Sequence, residues 1–166
     1  MAKFNKLLDA VFTPPKRWEL QSSLIFDSDI LTEDDYKILK QVKARVTKAG
    51  KITAFKGFKT DLASVPRLAW SFIAPFDIAR AAVIHDALYS AIREYREENG
   101  YHVGSGGSGE SEESKEVSAK AKVIADKVFL EAMLQSDPPI AKWKAKASYY
   151  SVVLFGRWSI IPRETD

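Results

Sequence analysis

Residues 77–96 read Asp77-Ile-Ala-Arg-Ala-Ala-Val-Ile-His85-Asp86-Ala-Leu-Tyr89-Ser-Ala-Ile-Arg-Glu-Tyr-Arg96, and this stretch decides the fold. Ile78, Ala81, Ala82, His85, Leu88, Tyr89 and Ile92 recur at helical spacing, so the segment is a helix with one apolar face turned to a core. Asp77 suits its N-cap. A second stripe, Val123, Asp126, Phe129, Leu130 and Met133, lies in a helix expected from about Ser114, its N-cap, to Gln135. Each stripe carries one polar residue among apolar ones, His85 in the first and Asp126 in the second. An unsatisfied buried polar group costs about 1–3 kcal/mol, so the two helices are expected to meet, with Asp126 hydrogen-bonded to His85. Tyr89 sits one turn beyond His85 and reaches the same carboxylate. Asp86 points about 100° round the helix, toward a different segment.

Around this pair the rest of the chain falls into two parts. Upstream, Pro14-Pro15 is followed by short apolar runs from Trp18 to Ile30. Ala44-Arg-Val-Thr and Ile52-Thr-Ala-Phe then alternate about Lys48-Ala-Gly-Lys, the signature of a hairpin. The N-terminal residues, from Met1 to Phe12, read as a short amphipathic helix or arm. Downstream of Val65 the period becomes helical. A short helix is expected over Pro66 to Ile73, and a last one from Ile140 to Phe155, set off by Pro138-Pro139. The expected class is therefore α+β: a small N-terminal antiparallel sheet followed by a bundle of three to four helices, in one domain spanning residues 1–166. Within it, residues 98–116 hold Gly104-Ser-Gly-Gly-Ser-Gly and Glu110-Ser-Glu-Glu-Ser, a flexible connection whose composition is shared by natural loops and engineered linkers.

The 166 residues include no cysteine, which removes disulfides, thiolate metal sites and a cysteine nucleophile. A net charge of +3 with acidic residues spread throughout gives no specific nucleic-acid signal. Lys142, Lys144 and Lys146 beside Trp143 read as a solvated helix face. No uncharged run is long enough for a transmembrane segment. The Gly-Ser stretch is not a phosphate loop, since no lysine and hydroxyl follow at the required spacing. His102 falls in the flexible connection and is expected to be exposed. Trp143, Tyr149, Tyr150, Phe155 and Trp158 recur at loosely helical spacing and are expected to pack in the core.

An aspartate that orients a histidine fixes its tautomer and leaves the other ring nitrogen free to deprotonate water. Asp86, with Asp61 and carbonyls of the loop from Gly57 to Pro66, has the hard oxygen donors that suit calcium. In that loop Gly57, Thr60, Ser64, Pro66 and Arg67 are expected to shape the backbone. Asp61 equally suits turning the loop, Ser64 capping the helix opened by Val65-Pro66, and Arg67 a surface position.

Four blocks, Gly57-Phe-Lys-Thr-Asp-Leu-Ala-Ser-Val-Pro-Arg, His85-Asp-Ala-Leu-Tyr, Ala125-Asp-Lys-Val-Phe with Glu131-Ala-Met, and Tyr150 leading to Gly156 and Trp158, together resemble an uncharacterised family of proteins encoded by tailed phages and prophages. The resemblance runs roughly from Ile52 to Trp158. His85-Asp-x-x-Tyr followed by Ala125-Asp-x-x-Phe is also similar, more distantly, to the catalytic helix pair of phospholipase A2. That resemblance implies His85 as general base, Asp126 as its orienting carboxylate, Tyr89 as a hydrogen-bond partner of Asp126, and Asp86 as a calcium ligand. The sequence departs from that pattern in having no disulfides and only one glycine between Gly57 and Pro66.

Three expectations follow. The first is a calcium-dependent hydrolase of phospholipid or another ester. A second is a hydrolase using Asp61, His85, Asp86 and Asp126 around a transition metal, on cell-wall or nucleotide substrates. The third is a non-catalytic phage protein, a virion component or an inhibitor of a host system, with a phage or host protein as partner. Each places the chain in the host cytoplasm or the virion.

Overall fold

The computed structural model of the protein describes residues 3–14, 17–60, 78–102 and 109–162. The first part holds strands β1 (Lys3–Phe4), β2 (Ala10–Thr13), β3 (Arg17–Leu20) and β4 (Leu24–Asp27), helix α1 (Glu33–Gln41), and strands β5 (Lys51–Ala54) and β6 (Lys59–Thr60). Helices α2 (Ala79–Glu98), α3 (Glu112–Leu134) and α4 (Lys142–Phe155) follow, and a 3-10 turn over Gly156–Trp158 ends the last. This is the expected α+β arrangement. The strands form two antiparallel three-stranded sheets, ordered β1-β4-β5 and β2-β3-β6.

Period-2 alternation explains the first sheet. Leu24 and Phe26 of β4 lie opposite Ala54 and Ile52 of β5, and all four are buried on the same face. The expected hairpin is present in reduced form. Val46 bridges Ile52, Thr53 N donates to Arg45 O, and Gly50 takes the turn at φ 83°, a region that favours glycine. A Cβ on Gly50 would also collide with the carbonyl of Ser28.

Several expectations need correction. The N-terminal residues form β1 and β2 rather than an amphipathic helix or arm, because β2 pairs with β3 and Phe4 of β1 pairs with Phe26, their rings 4.9 Å apart. Helix α1 was not expected. It starts with a capping box in which Thr32 accepts from Asp35 N and Asp35 accepts from Thr32 N, and Glu33, Asp34 and Asp35 face its positive end. Helix α3 begins at the cap Ser111, with Ser114 already inside it. The connection between α2 and α3 is shorter than expected, since Glu98 and residues 112–116 are helical. Glu110 is buried there, pairing with Arg96 through two hydrogen bonds of 2.8 and 2.7 Å. The expected helix from Pro66 to Ile73 lies outside the described residues, as does Asp77.

Helix α2 packs on α3 and across β4 and β5, while α1 and α4 flank α3. The small buried residues Ala81, Ala82, Ala121 and Ala125 let the two central helices approach closely. Being covered from several sides, α3 buries Ile124, Ala125, Val128, Phe129, Ala132 and Met133, and Val123, expected inside, faces solvent. Buried residues of both halves join one hydrophobic cluster.

Candidate functional site

Where α2 meets α3, His85 is fully buried and Asp126 only 2% exposed. His85 Nε2 lies 2.9 Å from Asp126 Oδ1, and the Tyr89 hydroxyl donates to the same oxygen at 2.7 Å. The expected pairing of the two stripes is thus present. The imidazole is clamped between the Tyr89 ring, 4.0 Å away between centroids, and that of Phe129, 4.8 Å away.

Burial opposes the charge on Asp126, but hydrogen bonds from His85, Lys122 and Tyr89 and the charge of His85 outweigh it and hold the carboxyl below its ordinary value. Burial, reinforced by the Asp126 charge, pushes the Tyr89 hydroxyl far above its usual range, so it stays a donor. An ionised Asp126 only accepts, which places the shared proton on Nε2 of His85. In the neutral imidazole the lone pair is then on Nδ1, which is buried and has no hydrogen-bond partner among the described residues. This is the nitrogen that a general base would use.

Asp86 leaves this network, as its position on the helix requires. Its Oδ2 accepts from the Thr60 hydroxyl at the end of β6. Gly57 precedes that strand at φ 84°, and its N–H donates to Leu20 O at 2.7 Å, so the loop is tied to β3 before it reaches Asp86. Asp61, Ser64, Pro66 and Arg67 lie outside the described residues. The Asp86 carboxylate and the Thr60 hydroxyl are hard oxygen donors of the kind calcium takes. Among the described residues, no three His, Asp or Glu groups come together to hold a metal ion.

Two contributors escaped the reading of the sequence. Lys122, one turn before Asp126, donates to Asp126 Oδ2 at 2.7 Å and to Val152 O of α4 at 3.2 Å. Its i,i+4 spacing from Asp126 was the available signal. Gly156 lies against the Tyr89 hydroxyl, and a Cβ there would collide with it. The C-terminal end of α4 therefore closes the back of the site.

Elsewhere, a cleft of about 660 Å³ lies on another face of α2, beside Ser90 and Glu94, with Lys40, Lys43, Arg45 and Lys56 at its walls. Neither His85 nor Asp126 lines it. His102 is exposed, as expected. Of the C-terminal aromatics Tyr149 packs against the core as expected, whereas Trp143, Tyr150, Phe155 and Trp158 are exposed. Among the described residues, no helix is long and apolar enough to cross a membrane.

Comparison with curated proteins and with solved structures returns no match. Residues 36–152 match the family described as protein of unknown function DUF1353, a span that takes in β5, β6, the His85–Asp126 pair and most of α4. Since that match covers well over half of the chain, the protein belongs to this family of unknown function.

Proposed function

We propose that this is a phage-encoded hydrolase in which His85 and Asp126 activate water against a phospholipid or related ester, in the manner of phospholipase A2. The observation that carries the reading is the asymmetry of the imidazole. Nε2 is held by an ionised carboxylate, while Nδ1 is buried with no hydrogen-bond partner among the described residues. As the water oxygen attacks the ester carbonyl, Nδ1 takes its proton and later returns it to the departing alcohol. Tyr89 and Lys122 keep Asp126 charged and in place through that cycle. Asp86 would be the charged ligand of a calcium ion, which supplies polarisation of the carbonyl.

One observation favours a second reading. His85 is fully enclosed, as a polar network that only fixes helix packing would be. In that case the chain is a virion component or an inhibitor of a host system and acts through a protein partner.

Calcium titration by calorimetry on the wild type and Asp86→Ala, with phospholipid hydrolysis on both and on His85→Ala, separates the two. The hydrolase reading expects saturable calcium binding that is lost with Asp86, and turnover that is lost with His85. Absence of turnover at any calcium concentration, with His85→Ala only lowering the melting temperature, would overturn it.

A further inference from the structure

Helix α4 is buried along one side only. Ala145, Ser148 and Val152 face the core, whereas the opposite side carries Trp143, Tyr150 and Leu154 at 59%, 60% and 63% exposure. These three, with Ala147 between them, follow the i, i+4, i+7 progression of one helical stripe. Val153 borders the stripe, and at the end of the helix Phe155 and Trp158 are also exposed, their rings stacked at 6.2 Å. A surface helix of a monomer normally presents charges on this side.

The charges that are present have one sign. From Pro138 to Pro162 the sequence contains Lys142, Lys144, Lys146 and Arg157 and no acidic residue. The Arg157 guanidinium lies over the Trp158 ring at 4.3 Å, so a cation and an aromatic share the end of the stripe. Exposed aliphatic side chains, amphipathic aromatics and lysines alongside them suit contact with an anionic bilayer surface, the opposite side of α4 staying packed in the protein core. At 1.5 Å per residue, the 14 residues of α4 would lie about 20 Å along the surface.

We propose that this face of α4 docks on anionic lipid surfaces. Charge complementarity selects that occupant over the alternatives. Isologous pairing of this face with a second copy would bring cations only to cations, since no acidic residue lies between Pro138 and Pro162. A nucleic acid would match the lysines but leave Val153 and Leu154 against phosphates or water. The inference rests on the surface alone and not on the chemistry assigned to His85.

Cosedimentation of the full chain with vesicles of phosphatidylglycerol and phosphatidylcholine, against phosphatidylcholine alone, tests it. Binding is expected only to the anionic vesicles. It should fall away in about 1 M salt, where the screening length is about 3 Å. Leu154→Asp removes apolar contact and adds repulsion, so it should weaken binding by about tenfold or more. Because Leu154 is exposed, circular dichroism should show the variant folded. His85→Ala should bind vesicles as the wild type does wherever it remains folded, which separates this inference from the hydrolase reading. No sedimentation with anionic vesicles, equal binding by Leu154→Asp, or a wild-type dimer that Leu154→Asp dissociates without any vesicle binding would each overturn it.

Discussion

Replacing Gly156 by alanine tests whether the end of α4 holds the Tyr89 hydroxyl on Asp126. Gly156 has φ −65° and ψ −15°, a backbone conformation that alanine adopts freely. Glycine is therefore not needed there for its flexibility, and Gly→Ala at such a position ordinarily stabilises by about 0.4–1 kcal/mol through the unfolded chain. Here the added Cβ would collide with the Tyr89 hydroxyl. Forcing it in costs about 1–3 kcal/mol by overpacking, and more if the hydroxyl loses its bond to the charged carboxylate. Tyr89→Phe alone should cost about 1.5–3 kcal/mol, the usual range for a hydrogen bond to a charged group. In the Tyr89→Phe background, however, the obstructing oxygen is gone. The next neighbour of the new Cβ is Lys122 Cε at 3.3 Å, the flexible end of a side chain. Gly156→Ala should then be neutral or mildly stabilising. A double-mutant cycle by urea unfolding should accordingly show a coupling of about 1–3 kcal/mol, with the double variant more stable than the sum of the singles implies. Additive costs would mean that Gly156 and the Tyr89 hydroxyl do not touch, and the account of how α4 closes the site would be wrong.

Two further outcomes are expected. Glu110 and Asp126 are both buried and both held below their ordinary values, in each case because hydrogen bonds and opposite charges outweigh the burial that opposes ionisation. The unfolded state then binds protons first as pH falls, so their stabilisation is complete above about pH 5 and is lost as pH drops through about 4 and below. The melting temperature should decline over that range, and Glu110→Gln should flatten the decline while lowering stability at neutral pH; an unchanged slope would refute the role of the Arg96 pair. Ser111→Ala removes the cap of α3, where the Ser111 hydroxyl accepts from Ser114 N at 3.1 Å, and should cost about 1 kcal/mol, or about 2–4 °C in melting temperature. No change on calorimetry would show that the helix does not depend on that cap.

Helical periodicity carried the central part of this protein on its own. A stripe with one polar member requires a partner for that member, and two such stripes required each other, which is why the His85–Asp126–Tyr89 unit could be read from residue spacing alone. The capping box at Thr32 and an amphipathic stretch behind it were present in the sequence too, but α1 spans only nine residues, so Tyr36, Ile38 and Leu39 alone mark its apolar face. Other features were decided by contacts between residues distant in the chain. The N-terminal strands exist because β1 and β2 find partners at β4 and β3, and no local signal distinguishes such a segment from an amphipathic arm. Whether an apolar residue is buried also depends on what packs against its helix. Covered from several sides, α3 buries all but a narrow strip that includes Val123; α4, covered on one side, leaves Trp143, Tyr150 and Leu154 in solvent. Periodicity gives the angle of a side chain around its own axis, and only the tertiary structure sets which angles are occupied by a neighbour.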